Sequence, residues 1–262
     1  MNTLLTRKER TMRITPSIYI VGGTQYGLTG GYDCVVYLIK GASGLILIDA
    51  GNGYDTETLI GNIEAEGLDP QDVGDILITH HHTDHARGAN ALRDALGCDV
   101  RISDNTGKHL LEEGTDEELG VIYAKKHGMY AQDYVYIHCP VAHGIGDGEE
   151  FSVAGVDIKA VNVIGHSHDS LCYIMDLDGR KCCFSGDVVY EGGILGLLNY
   201  PMSSLEGYHE GLPKLSGLGV EGLFPGHGLF TLKNGQETID AGLKKLDSIF
   251  VPHSVKQTLT SP

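Results

Sequence analysis

An α/β fold, with two sheets packed face to face and helices outside them, is what the order of segments along this chain predicts. Three observations carry the expectation. Runs rich in β-branched and apolar residues alternate with stretches of helical periodicity. The second half of the chain repeats this order in kind, though not in sequence. Glycine is also abundant: 37 residues, about twice the usual ~7%, so the chain turns often and its loops can bring backbone close to a ligand.

The elements follow in order. ITPSIYIVGG, DCVVYLIK and GLILIDAG, between Arg13 and Asp49, read as strands punctuated by glycine, so hairpins open the fold. Between Asp55 and Glu66, Leu59, Ile60 and Ile63 recur at helical spacing, and Gly67 can end that helix. DILIT is a short buried strand leading straight into His80, and Ala86 to Leu96 is a helix closed by Gly97. After the strand DVRIS, Asp104 to His127 reads as helical and runs into a segment crowded with tyrosine, AKKHGMYAQDYVYIHC. EEFSVAG, VDIKAVNVI, SLCYIMDLDG and RKCCFSGD are four further strands. Ser203 to Leu218 is helical, GLFPGHG is a short strand ending in a loop, and Gly235 to Phe250 is a last helix with Ile239, Leu243 and Leu246 on one side. No linker-like stretch separates these elements, so residues 1–262 are expected to form one domain; a hydrophobic content of 41% is enough for its core.

Nineteen Lys and Arg against thirty-five Asp and Glu leave a formal charge of −16, a field that repels nucleic acid and favours a small-molecule substrate. MNTLLTRKERTM holds no apolar stretch of signal-peptide length, and no window reaches the ~18 apolar residues that a membrane span needs; a soluble, cytoplasmic protein with no membrane partner is the expectation. The six cysteines, Cys34, Cys98, Cys139, Cys172, Cys182 and Cys183, form no CxxC pair and are expected to be reduced and buried in strands.

His80, His82, Asp84 and His85 lie within six residues, directly after an apolar strand. Packing does not account for such a cluster, and its mixture of imidazole and carboxylate suits a metal. His81 and Thr83 alternate with these residues, so their side chains should point elsewhere. One loop cannot complete a coordination sphere without strain, and the missing donors stand at other strand ends beside glycine: His166, Asp187 and His227. His109, His127, His138, His143, His209 and His253 have no comparable setting; His168, near His166, is a candidate substrate contact.

The string THHHTDH, with the later GH, GD and PGHG in that order, resembles the His-x-His-x-Asp-His signature of the metallo-β-lactamase superfamily from about Ile18 to His227. The resemblance implies a four-layer αββα sandwich with its site along one edge. It assigns His80, His82 and His166 to one metal, Asp84, His85 and His227 to another, and Asp187 to both. Asp49, in LIDAG, matches a carboxylate that orients a ligand histidine in this family. The activity implied is hydrolysis by hydroxide between two divalent ions, zinc by default, with iron and manganese compatible with the donors. Asp84 would orient that hydroxide and pass on its proton.

Tyr190 resembles a tyrosine of N-acyl homoserine lactonases that reaches the substrate carbonyl, although a packed aromatic is the favoured reading of the residue itself. The layout of GDVVYEGGILGLLNYPMSSLEGYHEGLPKL is similar to that of glyoxalase II-like thioesterases. Only about thirty-five residues follow His227, so an ester, a lactone or a different thioester is the expected substrate. A mononuclear iron dioxygenase of the persulfide dioxygenase type is the alternative, in which Asp84, His85 and His227 hold no metal. The segment Tyr123 to Tyr136 is either a specificity element over the site or a homodimer interface.

Overall fold

The computed structural model describes residues 12–248 and Pro252. The first sheet contains β1 (Met12–Arg13), β2 (Ile18–Gly22), β3 (Val36–Lys40), β4 (Leu45–Ile48), β5 (Val73–Leu77), β6 (Asp99–Ser103) and β7 (His143–Ile145), side by side in chain order. Its strands are antiparallel up to β4 and parallel from β4 to β7. The chain then crosses to the second sheet through an exposed turn at residues 146–149. That sheet contains β8 (Glu150–Val153), β9 (Val156–Asn162), β10 (Leu171–Leu177) and β11 (Arg180–Gly186) as antiparallel neighbours. After a two-stranded ribbon of β12 (Val189–Tyr190) and β13 (Ile194–Leu195), β14 (Gly222–Pro225) returns to pair in parallel with β11.

Alternation along the strands explains why whole strands are apolar. On β4, Leu45 and Leu47 face the outer helices while Ile46 and Ile48 face the other sheet. On β10, Leu171, Tyr173 and Met175 point between the sheets, and Cys172 and Ile174 point outward. The inter-sheet layer is fastened by Tyr37, whose ring meets Phe184 and Phe224 edge-on at 5.3 and 5.6 Å and whose hydroxyl donates to the Pro225 carbonyl at 2.8 Å. The outer face of the first sheet is covered by α1 (Thr56–Ala65), α3 (Ala89–Leu96) and α4 (Gly107–Glu113), through Leu59, Ile63, Leu92 and Leu111. That of the second is covered by α6 (Leu205–Gly211) and α7 (Gly235–Leu246), through Tyr208 and Ile239. The layers run helix, sheet, sheet, helix.

Several boundaries differ from the sequence expectation. The motif itself makes one helical turn, α2 (Thr83–Ala86), before Gly88 separates it from α3. The stretch 104–127 is not one helix: it stops at Gly114 and resumes as α5 (Val121–Lys126), because the intervening TDEELG folds on itself, Glu118 accepting from the Thr115 amide and hydroxyl. The helix expected over 203–218 ends at Gly211 and tightens into a 3-10 turn at Pro213. Strands β1, β7, β12 and β13 have two or three residues each, too few for a periodic signal. Phe250 and His253 lie outside the described residues. Among the described residues, no helix is long and apolar enough to cross a membrane.

Candidate metal centre

Strand direction gathers the donors. β4 and β5 are parallel, so Asp49 after β4 and His80 after β5 leave the first sheet at the same edge. In the second sheet β9 runs opposite to β10, β10 opposite to β11, and β14 with β11, so the ends of β9, β11 and β14 also share one edge. Those ends carry His166, Asp187 and His227.

Seven side chains converge where the two edges meet. His80, His82 and His166 have ligand atoms within 4.8 Å of one another, as do Asp84, His85 and His227, and as do His80, His85 and Asp187. The hydrogen bonds on the far side of each ring choose which nitrogen faces inward. The His80 Nδ1 bonds the Thr79 hydroxyl at 3.1 Å, leaving Nε2 buried with no partner. The His166 Nδ1 donates to the Gly196 carbonyl at 2.6 Å, and its Nε2 lies 2.9 Å from the His82 Nδ1. The His85 Nδ1 donates to Asp49 Oδ2 at 2.8 Å, and its Nε2 lies 3.3 Å from both Asp187 Oδ1 and the His227 Nε2. The His227 Nε2 is 2.9 Å from Asp84 Oδ2 and 3.6 Å from Asp187 Oδ2. Gly226 is required by close approach: a Cβ there would lie 2.5 Å from the His85 ring and 2.6 Å from Asp187 Oδ1.

Charge divides the cluster. Burial pushes the His80 pKa well below the ordinary imidazole value, and the neighbouring imidazoles push it further; His82 moves the same way, and burial lowers His166 against the pull of Asp187. Burial also opposes the charged form of His85 and His227, but Cys34 and then Asp187, Asp84 and Asp49 around His85, and Asp187 and Asp84 around His227, outweigh it, and both are raised. Asp187 is held well below the usual carboxylate range despite its burial, by His227, His85 and His166, and Asp84 is lowered by His85 and His227. A divalent cation fits this set. Neutral imidazoles present lone pairs to one another, His80 Nε2 and Asp187 Oδ1 are buried without a hydrogen-bond partner, and all the donors are nitrogen or oxygen.

The family model for the metallo-beta-lactamase superfamily matches residues 29–227. The chain belongs to that superfamily. An atrochrysone carboxyl ACP thioesterase of Aspergillus fumigatus is 29% identical over 204 residues, 78% of this chain and 53% of that protein. A beta-lactamase-like protein 2 homolog of Caenorhabditis elegans is 24% identical over 221 residues, 84% of this chain and 61% of that protein. The chain thus spans about half to three fifths of the length of these curated relatives. A subclass B3 metallo-beta-lactamase of Bradyrhizobium japonicum superposes with a TM-score of 0.69 at 20% identity, covering 90% of each chain. One from Legionella gormanii gives 0.69 at 19%, covering 96% of this chain and 97% of the other. At that identity the likeness is one of fold, the metallo-beta-lactamase αββα sandwich.

Against this superfamily fold, every donor singled out in the sequence reaches the cluster, and Asp49 stands behind His85. Asp49 has φ +66°, a left-handed backbone that its short polar side chain tolerates, and accepts from the Thr79 amide at 2.7 Å. Tyr190 is buried; its hydroxyl has no hydrogen-bond partner, and burial with the adjacent Asp187 carboxylate pushes its pKa well up. His168 is half-buried, belongs to none of the donor groups, and offers its carbonyl to Asn105.

All six cysteines are free and buried, but Cys34, Cys98 and Cys139 lie outside strands. Cys34 sits within ligand distance of Asp49 and His85, because β3 begins where the motif loop crosses it: the Cys34 amide donates to the Asp84 carbonyl. Tyr200 also borders the cluster. Its ring centroid is 6.1 Å from that of His82, and its unpartnered phenol is pushed up to about 12 by burial and Asp169. No motif marks either residue; only the fold brings them in.

Proposed function

We propose that this chain is a binuclear, metal-dependent hydrolase that cleaves an ester, lactone or thioester bond of a small substrate with an apolar acyl group. The observation that carries the reading is the pair of donor trios at one sheet edge with Asp187 between them. His80, His82 and His166 would hold one ion, Asp84, His85 and His227 the other, with Asp187 serving both; zinc is the default, and iron or manganese suits the same donors. Bound there, the ions supply a water that ionises near neutral pH and a Lewis acid for the carbonyl oxygen.

The chain's own groups do the rest. Asp84, kept anionic by His85 and His227 although burial opposes it, is the more exposed of the two carboxylates and takes the nucleophile's proton. The Tyr190 hydroxyl stays protonated and lies by Asp187, where it can donate to the oxygen that gains charge as the carbonyl is attacked. Tyr32, Tyr54, Val135 and Leu229 are exposed apolar residues on segments that border the motif, and support an apolar acyl group. The name of the Aspergillus fumigatus relative supports a thioester among the three bond types.

The test is a panel of esters, lactones, thioesters and phosphodiesters with metal-quantified protein, using His82→Ala as the blank. Two ions per chain and turnover of an acyl substrate are expected. One iron per chain with oxygen consumption would replace this reading by the mononuclear oxygenase, in which Asp84, His85 and His227 stand idle. Loading without turnover on any acyl substrate would leave a binding protein.

A further inference from the structure

The two residues that alternate with the motif's donors face away from the cluster, and their partners are as specific as those of the donors. His81 is fully buried, its Nδ1 2.8 Å from Asp169 Oδ1, and its amide donates to Asp169 Oδ2 at 2.7 Å. Both carboxylate oxygens are thus committed to one residue, one to its ring and one to its backbone. Asp169 is itself buried and steadied by the Ser167 hydroxyl, which donates to Oδ1 at 2.7 Å. On the same side, the Tyr136 hydroxyl donates to the His81 carbonyl at 2.8 Å, and the Tyr134 and Thr83 hydroxyls share a bond of 2.6 Å.

We infer that the Asp169–His81 pair is a positioning device for the three-histidine half of the centre, fixing the backbone between His80 and His82 to the loop that carries His166. The inference rests on the two-ion reading above. Its geometry is that of a tie between halves of the molecule: His80 and His82 follow β5 of the first sheet, whereas His166 and Asp169 lie between β9 and β10 of the second. Neither loop can slide or roll against the other without breaking a buried, charge-assisted bond, and such bonds are the strong ones. Asp169 belongs to no donor trio, so its effect on an ion passes through this geometry. The Asp84, His85 and His227 half has no contact with Asp169: its ring support is the Asp49 carboxylate behind His85, which also reaches His80 through the Thr79 hydroxyl, so that half should not feel the tie.

The experiment is a zinc titration against a chelating indicator, combined with thermal melting of the metal-free protein. Asp169→Asn keeps an oxygen for the His81 amide and loses the charged partner of the ring. In a His227→Ala background, where the three-histidine half is the intact one, Asp169→Asn should weaken zinc by about 10-fold, within the range for partners of ligand residues. Asp169→Ala should weaken it by up to ~100-fold. In a His82→Ala background, where Asp84, His85 and His227 remain, the affinity should stay within about twofold of its parent. Zinc binding unchanged in the first background, or weakened equally in both, would overturn the inference. So would loss of cooperative melting in Asp169→Asn, which would assign the pair to the stability of the fold. A parent chain that takes up one ion defeats the two-ion reading instead, and the pair is then judged on that ion, which Asp169→Asn must still weaken.

Discussion

The two donor trios meet at Asp187 but are built on opposite electrostatic principles. His80, His82 and His166 are imidazoles driven neutral by burial and by one another, with a buried lone pair on His80 that nothing satisfies. Asp84, His85 and His227 satisfy themselves, because the carboxylates, with Cys34 beside His85, favour protons on both rings. A cation therefore completes the first trio and must displace protons from the second. The contrast shows how one six-residue motif, lying across a sheet edge, supplies donors to two candidate sites of different character: what differs is that Asp84 and Asp49, both carried by the first sheet, stand beside His85.

The largest expected effect comes from cutting either trio. His82→Ala and His227→Ala should each reduce acyl hydrolysis by more than about 100-fold, beyond what loss of a ligand's partner produces; a variant that keeps a tenth of the parent rate would show that one ion suffices. Next comes the support behind the mixed trio. Asp49→Asn should weaken that trio's ion by roughly 10- to 100-fold and the three-histidine ion by less, because Asp49 bonds the His85 ring directly but reaches His80 only through the Thr79 hydroxyl, as measured by titration in the same two backgrounds.

Proton linkage should separate the trios as well. His85 and His227 have raised pKa values, so their stabilisation of the metal-free fold is complete below the ordinary imidazole range and is lost as pH rises through their folded values. Metal needs those rings deprotonated. The gain in Tm on adding zinc should therefore be larger at pH 8 than at pH 6, and an equal gain at both would mean that the mixed trio takes no ion. The smallest effect belongs to a single bond behind the motif. Tyr136→Phe removes the donor to the His81 carbonyl and should cost about 1 kcal/mol in urea unfolding, with hydrolysis nearly unchanged.

Much of this was legible in the sequence because it depends on local pattern. Apolar runs marked the strands, since nearly all of them are covered on both faces, and glycine beside a lone His or Asp marked the strand ends where donors emerge. The trios and Asp49 followed from resemblance rather than from spacing. What stayed hidden depends on contacts between residues far apart in the chain. Asp169 lies 88 residues from His81, and nothing in HSHDS says that its carboxylate leaves its own loop. Cys34 reads as core until the chain crossing places it beside His85. The tyrosine-rich segment read as a lid or an interface; that two of its phenols also hold the back of the motif was not legible in its composition.

The chain crosses between the sheets at the exposed 146–149 turn, and four of the seven converging donors precede that turn while three follow it. The centre is thus divided between two consecutive stretches of polypeptide, neither of which owns a complete three-histidine or mixed trio. Severed at that turn, the protein would become a complementation pair in which bound metal acts as a rivet. Reassembly of the fragments would then report on the ions, and a chelator would act as the release.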